Sequence, residues 1–275
     1  MLARLSSRLA LVVVLVVGLG TGNAVRTLAT PVPQTTALQD MTWMEVMSAL
    51  QNGFTTVIVP TGGVEQNGPH MVLNKHDHIV GHAARAIAGK LGRTLVAPVV
   101  SFVPQGDYAP PTDNMQLPGT IGLREPVFEQ LLDGIARSLK TAGFKTILFI
   151  GDHGPSQAVQ ARVAAALSLE WARDGILVAQ VDRYYEDREQ NRLLEAQGES
   201  TATIGFHAGL IDTSELMAVY PSGVMLDRLQ GLPGSLRQMG ASGDPSRASA
   251  DRGAALLAIR IDAATNQIRA ILAGR

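Results

Sequence analysis

The stretch TTVIVPTGGVEQNGPHMVLNKHDH, residues 55–78, combines a strand pattern with a cluster of polar side chains. Residues 55–59 are all β-branched, and the Pro and Gly residues that follow end the run, which predicts a buried strand leading into a loop. The residues from 61 onward hold three of the chain's six histidines, together with Glu65 and Asp77. Because ligands of α/β sheets bind beyond the carboxyl ends of the strands, this stretch predicts both the fold class and the place of a site.

The same alternation of strands and helices extends outward from this stretch. Apolar runs predict further strands at 94–104, 145–154 and 176–185. Apolar residues three and four positions apart predict helices at 43–50, 78–92, 125–143, 156–175 and 249–274. Helices that alternate with continuous apolar strands favour a mainly parallel sheet covered on both faces, so we expect one three-layer α/β/α domain.

The N-terminal residues predict export. Two arginines precede an apolar stretch at 9–19, and small residues stand at 22 and 24, the spacing of a signal-peptidase site. The stretch is shorter than the roughly 20 residues of a bilayer span. We expect 1–24 to be a signal peptide, 25–39 a linker and 40–275 the α/β domain of a periplasmic or secreted protein with no membrane contact after cleavage. The alternative is an uncleaved membrane anchor.

The composition excludes several classes of function. A formal net charge of −1 provides no basic surface to neutralise nucleic-acid phosphates, so we expect no nucleic-acid partner. The chain has no cysteine, so neither disulfides nor thiol chemistry contribute. A metal ion would therefore be held by His, Asp or Glu side chains.

Two predicted strands end in candidate metal ligands. Glu65 follows the first strand and His153 follows the strand at 145–154, which places both at one edge of the sheet. A catalytic zinc takes three such side chains and leaves one position for water. His78 and His82 stand four apart on a predicted helix, but without the Glu of the metalloprotease motif they are only a weak indication of metal binding.

Four ordered blocks of the sequence resemble the creatininase (creatinine amidohydrolase) family. They are PTGGVEQNGPHMVL at 60–73, LPGTIGL at 117–123, GFKTILFIGDHG at 143–154 and HAGLIDTS at 207–214. The likeness extends from about residue 40 to about residue 225. The chain is identified as a divergent, exported member of this family.

The resemblance implies a creatininase-like fold and a metal-dependent hydrolase of a non-peptide or cyclic amide C–N bond in a small molecule. Family members open a cyclic amide, deformylate a pyrimidine intermediate or trim a redox-peptide precursor. The resemblance also implies a homo-oligomer, with hexamers frequent in the family. The family site holds two divalent ions; Glu65 and His153 match ligands, His207 matches a histidine that transfers protons or binds substrate, and Asp212 stands where a Glu is usual.

This sequence departs from the family pattern at ligand positions. Asn67 replaces a histidine ligand, and a neutral amide is the poorer ligand for a transition metal. Pro155 stands where creatininase supplies a glutamate. Counted without a gap, His76 occupies the place of the bridging aspartate; with one inserted residue, Asp77 does. The ungapped count leads us to expect one divalent ion per subunit, zinc in preference to manganese or iron.

The expected roles follow from that count. The expected metal ligands are Glu65, His76 and His153. His207 is expected to protonate the leaving nitrogen, and Asp77 to activate water or support a ligand. Asn67 and His70 are expected to orient substrate, and backbone N–H groups around Gly119 and Thr120 to stabilise an oxyanion. For His70 the alternative is that it only fixes the turn after Pro69. The loop at 103–116 is expected to be a lid or a subunit contact, with Asp107 and Tyr108 near substrate or merely exposed.

Two other functions fit the sequence. The changes at Asn67 and Pro155 are also what a non-catalytic periplasmic binding protein would show if it had kept the fold and lost the metal. A metal-dependent peptidase would need an open groove. Retention of Glu65, His153 and His207 favours an enzyme.

Overall fold

Four parallel strands form the sheet in the described part of the chain. The structure is a computed structural model that describes residues 34–274, so the expected signal peptide at 1–24 lies outside the described residues. The strands are β1 (Thr56–Thr61), β2 (Thr94–Val96), β3 (Thr146–Gly151) and β4 (Leu177–Gln180). The helices are α1 (Trp43–Gln51), α2 (Lys75–Leu91), α3 (Glu125–Ala142), α4 (Gln157–Glu170), α5 (Arg188–Ala196), α6 (Thr201–Ile204), α7 (Leu210–Val219) and α8 (Ala250–Ala273).

The strand order β2-β1-β3-β4 creates a crevice between the two central strands. Thr56 pairs with Thr94 on one side and with Thr146 on the other, and the β1–β3 pairing ends with Thr61 opposite Gly151. The chain leaves β1 toward β2 and later returns on the opposite side of β1 to form β3. Where the strand order reverses in this way, the carboxyl ends of the two strands line a ligand crevice.

The two faces of the sheet are covered by different helices. Val57 and Val59 point into a cluster with buried residues of α1, α3 and α4. Ile58, between them, points into a second cluster with buried residues of α2, α7 and α8. Because successive side chains of a strand point to opposite faces, these two clusters are two separate layers of core. The predicted three-layer α/β/α architecture is confirmed.

Two element predictions need correction. The strand expected at 94–104 ends at Val96, because Pro98 and Pro104 have no backbone N–H to continue the ladder. Beyond it only isolated bridges remain, such as Val100 with Thr61. The helix expected to begin at His78 begins at Lys75. That earlier start places Lys75 and His76 in the first turn of α2, close to the carboxyl end of β1.

The residues just before the expected domain contact the sheet. The backbone N–H of Val96 donates to Thr36 and Ala37 bridges Val96, so the end of the expected linker is bound to the edge of the sheet. Helices α5, α6 and α7 lie in a region for which the sequence patterns predicted no element. Within 34–274, no helix combines the length and the apolar character needed to cross a bilayer.

Candidate active site

A pocket of about 270 Å³ opens at the carboxyl ends of β1 and β3. Its lining comes from the loops after both strands, from the first turn of α2 and from the segment before α7. The lining side chains that carry chemistry are Glu65, Lys75, His76, Asn114, Asp152, His153, Tyr185, His207, Asp212 and Arg260. The sheet crevice and the polar pocket therefore coincide, as the positions of Glu65 and His153 in the sequence predicted.

Three imidazole rings converge on the carboxylate of Glu65. His76 Nε2 lies 2.8 Å from Oε1, His153 Nε2 lies 3.0 Å from Oε2, and His207 Nδ1 lies 3.6 Å from Oε1. The Glu65 side chain is completely buried. Burial raises the pKa of Glu65, but the His76 charge, the hydrogen bonds from His153 and His76, and Lys75 together lower it well below its usual range. Glu65 is therefore a buried anion at the centre of the pocket.

Asp152 fixes the orientation of His76. Its Oδ2 lies 2.7 Å from His76 Nδ1, so the opposite ring nitrogen, Nε2, faces Glu65. Asp152 Oδ1 in turn accepts from Arg260 at 2.9 Å. Burial and the charge of Lys75 lower the pKa of His76, but Glu65 and Asp152 outweigh both and raise it to about 9.

Lys75 places a buried ammonium group beside the same carboxylate. Its Nζ lies 2.7 Å from Asp212 Oδ2 and 3.7 Å from Glu65 Oε1, and its side chain is 1% exposed. Burial lowers the pKa of Lys75, but Asp212 and Glu65 more than offset this and raise it. Asp212 also accepts from the backbone N–H of Ala208 at 2.7 Å. Lys75 is thus a permanent cation of the pocket.

His207 has hydrogen-bond partners in either tautomer. Its Nε2 lies 2.9 Å from the amide nitrogen of Gln66, a donor, and 3.0 Å from the backbone oxygen of Gln66, an acceptor. Burial, followed by the charge of Lys75, lowers the pKa of His207 to about 4. The ring is neutral at pH 7 and can release or take a proton at Nδ1 without losing its anchor.

The loop at 103–116 contributes to the pocket through a residue that sequence reasoning did not single out. Asn114 Nδ2 donates to Glu65 Oε2 at 2.8 Å and to Gln105 at 3.0 Å. Asp107 and Tyr108 are exposed and lie outside the pocket lining. The loop therefore orients the central carboxylate, and the exposure of Asp107 and Tyr108 agrees with the alternative that these two residues are merely exposed.

Two predicted substrate residues instead stabilise the loop after β1. The Nδ2 of Asn67 donates to the backbone oxygens of Glu65 and Val72 at 3.0 Å and of Leu73 at 3.2 Å. His70 is completely buried, with Nε2 2.9 Å from Thr213 Oγ1. Neither lines the pocket, so the substrate-orienting role expected for both stays a prediction, and the contact of His70 with Thr213 agrees with its alternative of fixing the turn.

Three further predictions concern residues that lie outside the pocket lining. Asp77 Oδ1 accepts from the backbone N–H of Gly63 at 3.0 Å, so it stabilises the loop, and its expected role in activating water or supporting a ligand stays a prediction. Thr120 Oγ1 accepts from the backbone N–H of Gln66 at 3.1 Å, and Gly119 is exposed; neither lines the pocket where an oxyanion would form. His78 stacks on Tyr220, away from the pocket, rather than acting with His82 on a metal ion.

The donor types around Glu65 suit a divalent ion. Among residues 34–274 no group of three or more His, Asp or Glu side chains is arranged to hold an ion, and the imidazole nitrogens of His76 and His153 contact the Glu65 carboxylate directly. The chemistry is nevertheless suitable: one carboxylate and two imidazoles, with His76 supported by Asp152 as metal-bound histidines usually are. His153 Nδ1 is buried without a described partner, so only its Nε2, which faces Glu65, is engaged. The side chain of Pro155 has no ligating atom, and Asn67, whose Oδ1 is buried without a described partner, lies outside the pocket lining.

Several functional residues were missed from the sequence. Asp152 directly precedes His153 at the end of β3, and Lys75 directly precedes His76, so their adjacency to predicted ligands was an available indication. Asn114 lies 49 positions from Glu65 in an irregular loop, and no periodicity or motif indicates its contact.

Comparison with known proteins agrees with this architecture. A family model described as creatininase, creatinine amidohydrolase, matches residues 39–268. A mycofactocin precursor peptide peptidase from Mycolicibacterium smegmatis is 25% identical over 234 residues, covering 78% of this chain and 84% of the relative. A creatinine amidohydrolase from Pseudomonas putida is 24% identical over 199 residues, covering 70% of this chain and 75% of the relative.

Solved structures share the fold. A manganese form of creatininase matches with a TM-score of 0.70 at 20% identity, covering 86% of this chain and 98% of that chain. A zinc–zinc type of a creatininase mutant matches with a TM-score of 0.69 at 20% identity and the same coverage. At this identity the likeness shows the fold and not the ligand set.

Proposed function

Because the chain belongs to the creatininase family, we propose that it is a metal-dependent hydrolase that cleaves an amide C–N bond in a small molecule. The observation that carries the proposal is the convergence of His76 Nε2 and His153 Nε2 on the buried carboxylate of Glu65, at 2.8 and 3.0 Å. Those three side chains would hold one divalent ion, zinc in preference to manganese or iron. When bound, the ion would supply Lewis acidity and a water molecule of lowered pKa.

The protein's own residues would position the substrate and move protons. His207, neutral at pH 7 and anchored by Gln66 in either tautomer, would take a proton from the attacking water and pass it to the leaving nitrogen. Asn114 holds one oxygen of Glu65 and so keeps the carboxylate in place. Tyr185 and Phe206 line the pocket on its solvent side, and Phe206 is 87% exposed. These two rings would contact an apolar part of the substrate.

The size of the pocket supports a small-molecule amide. A volume of about 270 Å³ is near the lower end of ligand pockets, which hold a metabolite more readily than a polypeptide. A metal-dependent peptidase is the second candidate, favoured by the likeness to the mycofactocin precursor peptide peptidase. For that function the peptide would enter past Phe206, and only its terminal residues would reach Glu65.

We also propose export and self-association. Export rests on the pattern at 1–24, and its test is N-terminal sequencing of the protein recovered from the periplasm of its host. Self-association rests on family membership. Trp43, Met44 and Met47 form an exposed apolar face on α1, which is compatible with a subunit contact. Light scattering of the purified protein measures the oligomeric mass.

The experiment that tests the proposed function joins metal content to hydrolysis. Protein purified without added metal is assayed for bound ions and then screened against small cyclic and linear amides with zinc, manganese or iron. Glu65→Gln and His153→Ala should lose the ion and the activity, while Asp77→Asn should keep the ion. Unchanged metal content in Glu65→Gln and His153→Ala, or a metal-loaded wild type that hydrolyses no amide and no peptide, would favour a binding protein.

A further inference from the structure

Two features of the position of Lys75, its place in the helix and its burial, disfavour a positive charge there. It is the first residue of the 17-residue helix α2, where the helix dipole disfavours cations, and its side chain is 1% exposed. Burial of an ammonium group is unfavourable unless anions compensate. Here Asp212 at 2.7 Å and Glu65 at 3.7 Å supply that compensation. Lys75 is retained where the helix dipole and burial both disfavour a cation, and its ammonium group lies beside the central carboxylate of the pocket. This suggests that it has a role in the pocket.

The charge balance of the site indicates what this role is. The ion-paired cluster contains four carboxylates and two permanent cations, which are Glu65, Asp152, Asp212 and Glu215 against Lys75 and Arg260. A histidine binds a metal ion in its neutral form. Burial raises the pKa of Glu215 to about 7, so the formal balance with metal-binding histidines lies between one and two negative charges. One divalent ion offsets this charge, whereas a second would leave at least two uncompensated positive charges in a largely buried cluster. Asp187 lies at the exposed rim, where water screens its charge.

Geometry agrees with the charge count. An ion on the Lys75 side of Glu65 would have Glu65 and Asp212 as its carboxylate ligands, and the ammonium already lies between those two groups. Asn67, which stands at a ligand position of the family pattern, lies outside the pocket lining and donates its amide N–H groups to three backbone oxygens. The space and the charge for a second ion are therefore both taken by Lys75.

We propose that the Lys75 ammonium is a built-in cation that takes the place of a second divalent ion and restricts the site to one metal. The inference rests on the proposed function, because it presumes that Glu65, His76 and His153 hold the first ion. Lys75 acts here as a positioning residue: it fixes one oxygen of Glu65 and the carboxylate of Asp212 without contacting the reacting atoms.

The test is the number of ions that the full chain binds. Metal-stripped protein is dialysed to equilibrium against Mn²⁺, and the bound metal per chain is measured by atomic emission. Wild type should bind one ion, and Lys75→Ala should bind two, because the deletion leaves room and two uncompensated carboxylates. Lys90→Ala is the matched control. Lys90 lies on the same helix, is half exposed and lies 3.0 Å from Asp262. This variant should bind one ion.

The outcomes separate this inference from the proposed function. A folded Lys75→Ala that binds one ion, or a wild type that binds two, overturns the inference and leaves the hydrolase intact. A wild type that binds no ion overturns both. If Lys75→Ala fails to fold, Lys75→Met replaces it, because methionine keeps the aliphatic stem. The quantity measured is then the affinity of this variant for Mn²⁺. Removal of a cation 3.7 Å from a ligand oxygen should tighten Mn²⁺ binding about tenfold or more, and unchanged or weaker binding contradicts the inference.

Discussion

At the scale of single residues, Glu65 determines the electrostatics of the pocket. It is completely buried, and it is the common partner of His76, His153, Lys75 and Asn114. The sequence predicted Glu65 and His153 because each follows a buried strand, and His76 because of its place in the ungapped family pattern. It could not indicate the charge balance, since that depends on Lys75 and Arg260 meeting carboxylates more than 40 positions away.

Replacement of the Glu65 charge should affect stability as well as metal binding. Glu65→Gln keeps the shape but leaves His76 and Lys75 without an anion that each faces. Breaking a buried ion pair from one side costs about 3–5 kcal/mol. Urea unfolding should show a loss of that order in the free energy of unfolding. Because EDTA removes bound metal, a loss measured in its presence has another cause. A variant as stable as the wild type under these conditions would show that Glu65 is not a buried anion.

His70 should make folding stability depend on pH. Burial, followed by the charge of Lys75, lowers the pKa of His70 to about 4, from an ordinary value near 6.5. Between these values the unfolded chain binds the proton and the folded chain does not, so the stability present above pH 6.5 is lost as pH falls toward 4. Between pH 7.5 and pH 5 this loss should be about 2 kcal/mol.

The measurement for His70 is a difference between two proteins. His70→Gln has no titrating ring, so its urea unfolding free energy should fall less than that of the wild type between pH 7.5 and pH 5. All other titrating groups are common to both proteins and cancel in the comparison. Equal losses would mean that His70 is protonated in the folded protein or exposed to water.

At the scale of elements, prediction succeeded where a single pattern specified the structure. Helix α3 begins with Pro126 in its first turn and ends at Gly143 in a left-handed conformation, as its sequence indicated. The strand at 94–104 was predicted too long. Apolar residues continue beyond Val96, but the prolines among them have no backbone N–H with which to pair to a neighbouring strand. The helices α5 to α7 were missed, and in α7 buried polar residues such as Glu215 and Ser214 interrupt the apolar pattern.

Two helical glycines should respond oppositely to the same substitution. Gly134 in α3 has nothing within 4 Å of the place of an added Cβ, so Gly134→Ala should stabilise the protein by roughly 0.5–1 kcal/mol. Gly253 in α8 lies against the backbone of Ser214 in α7, where a Cβ would overlap the carbonyl. Gly253→Ala should destabilise by roughly 1–3 kcal/mol. Thermal unfolding of both variants measures the pair, and a change of the same sign would contradict the α7–α8 packing.

At the scale of the whole molecule, the alternation of strands and helices was sufficient to predict the three-layer fold. It also predicted the edge at which the site lies, because parallel strands bring their carboxyl ends together. It did not give the strand order, since the side of β1 on which β3 pairs depends on how the helices cover the sheet. The order β2-β1-β3-β4 is what makes Glu65 and His153 neighbours.

Metal binding at that edge should stabilise the whole fold. Glu65 and His153 lie in the loops after two different strands and His76 lies in α2, so an ion that joins them binds only the folded chain. At an ion concentration 100 times the Kd, the gain is about 2.7 kcal/mol. For a chain of this size, this corresponds to a rise in Tm of roughly 5–10 °C. Calorimetry of stripped and Zn²⁺-loaded protein measures the rise, and Glu65→Gln should show almost none.

The most direct test of the central claim is a crystal structure of the zinc-loaded protein with anomalous scattering recorded at the zinc absorption edge. We predict one anomalous peak per chain, about 2.0–2.2 Å from a carboxylate oxygen of Glu65 and from Nε2 of both His76 and His153. A pocket without a peak, or a peak bound by other side chains while Glu65 keeps its contacts to both histidines, would contradict the account.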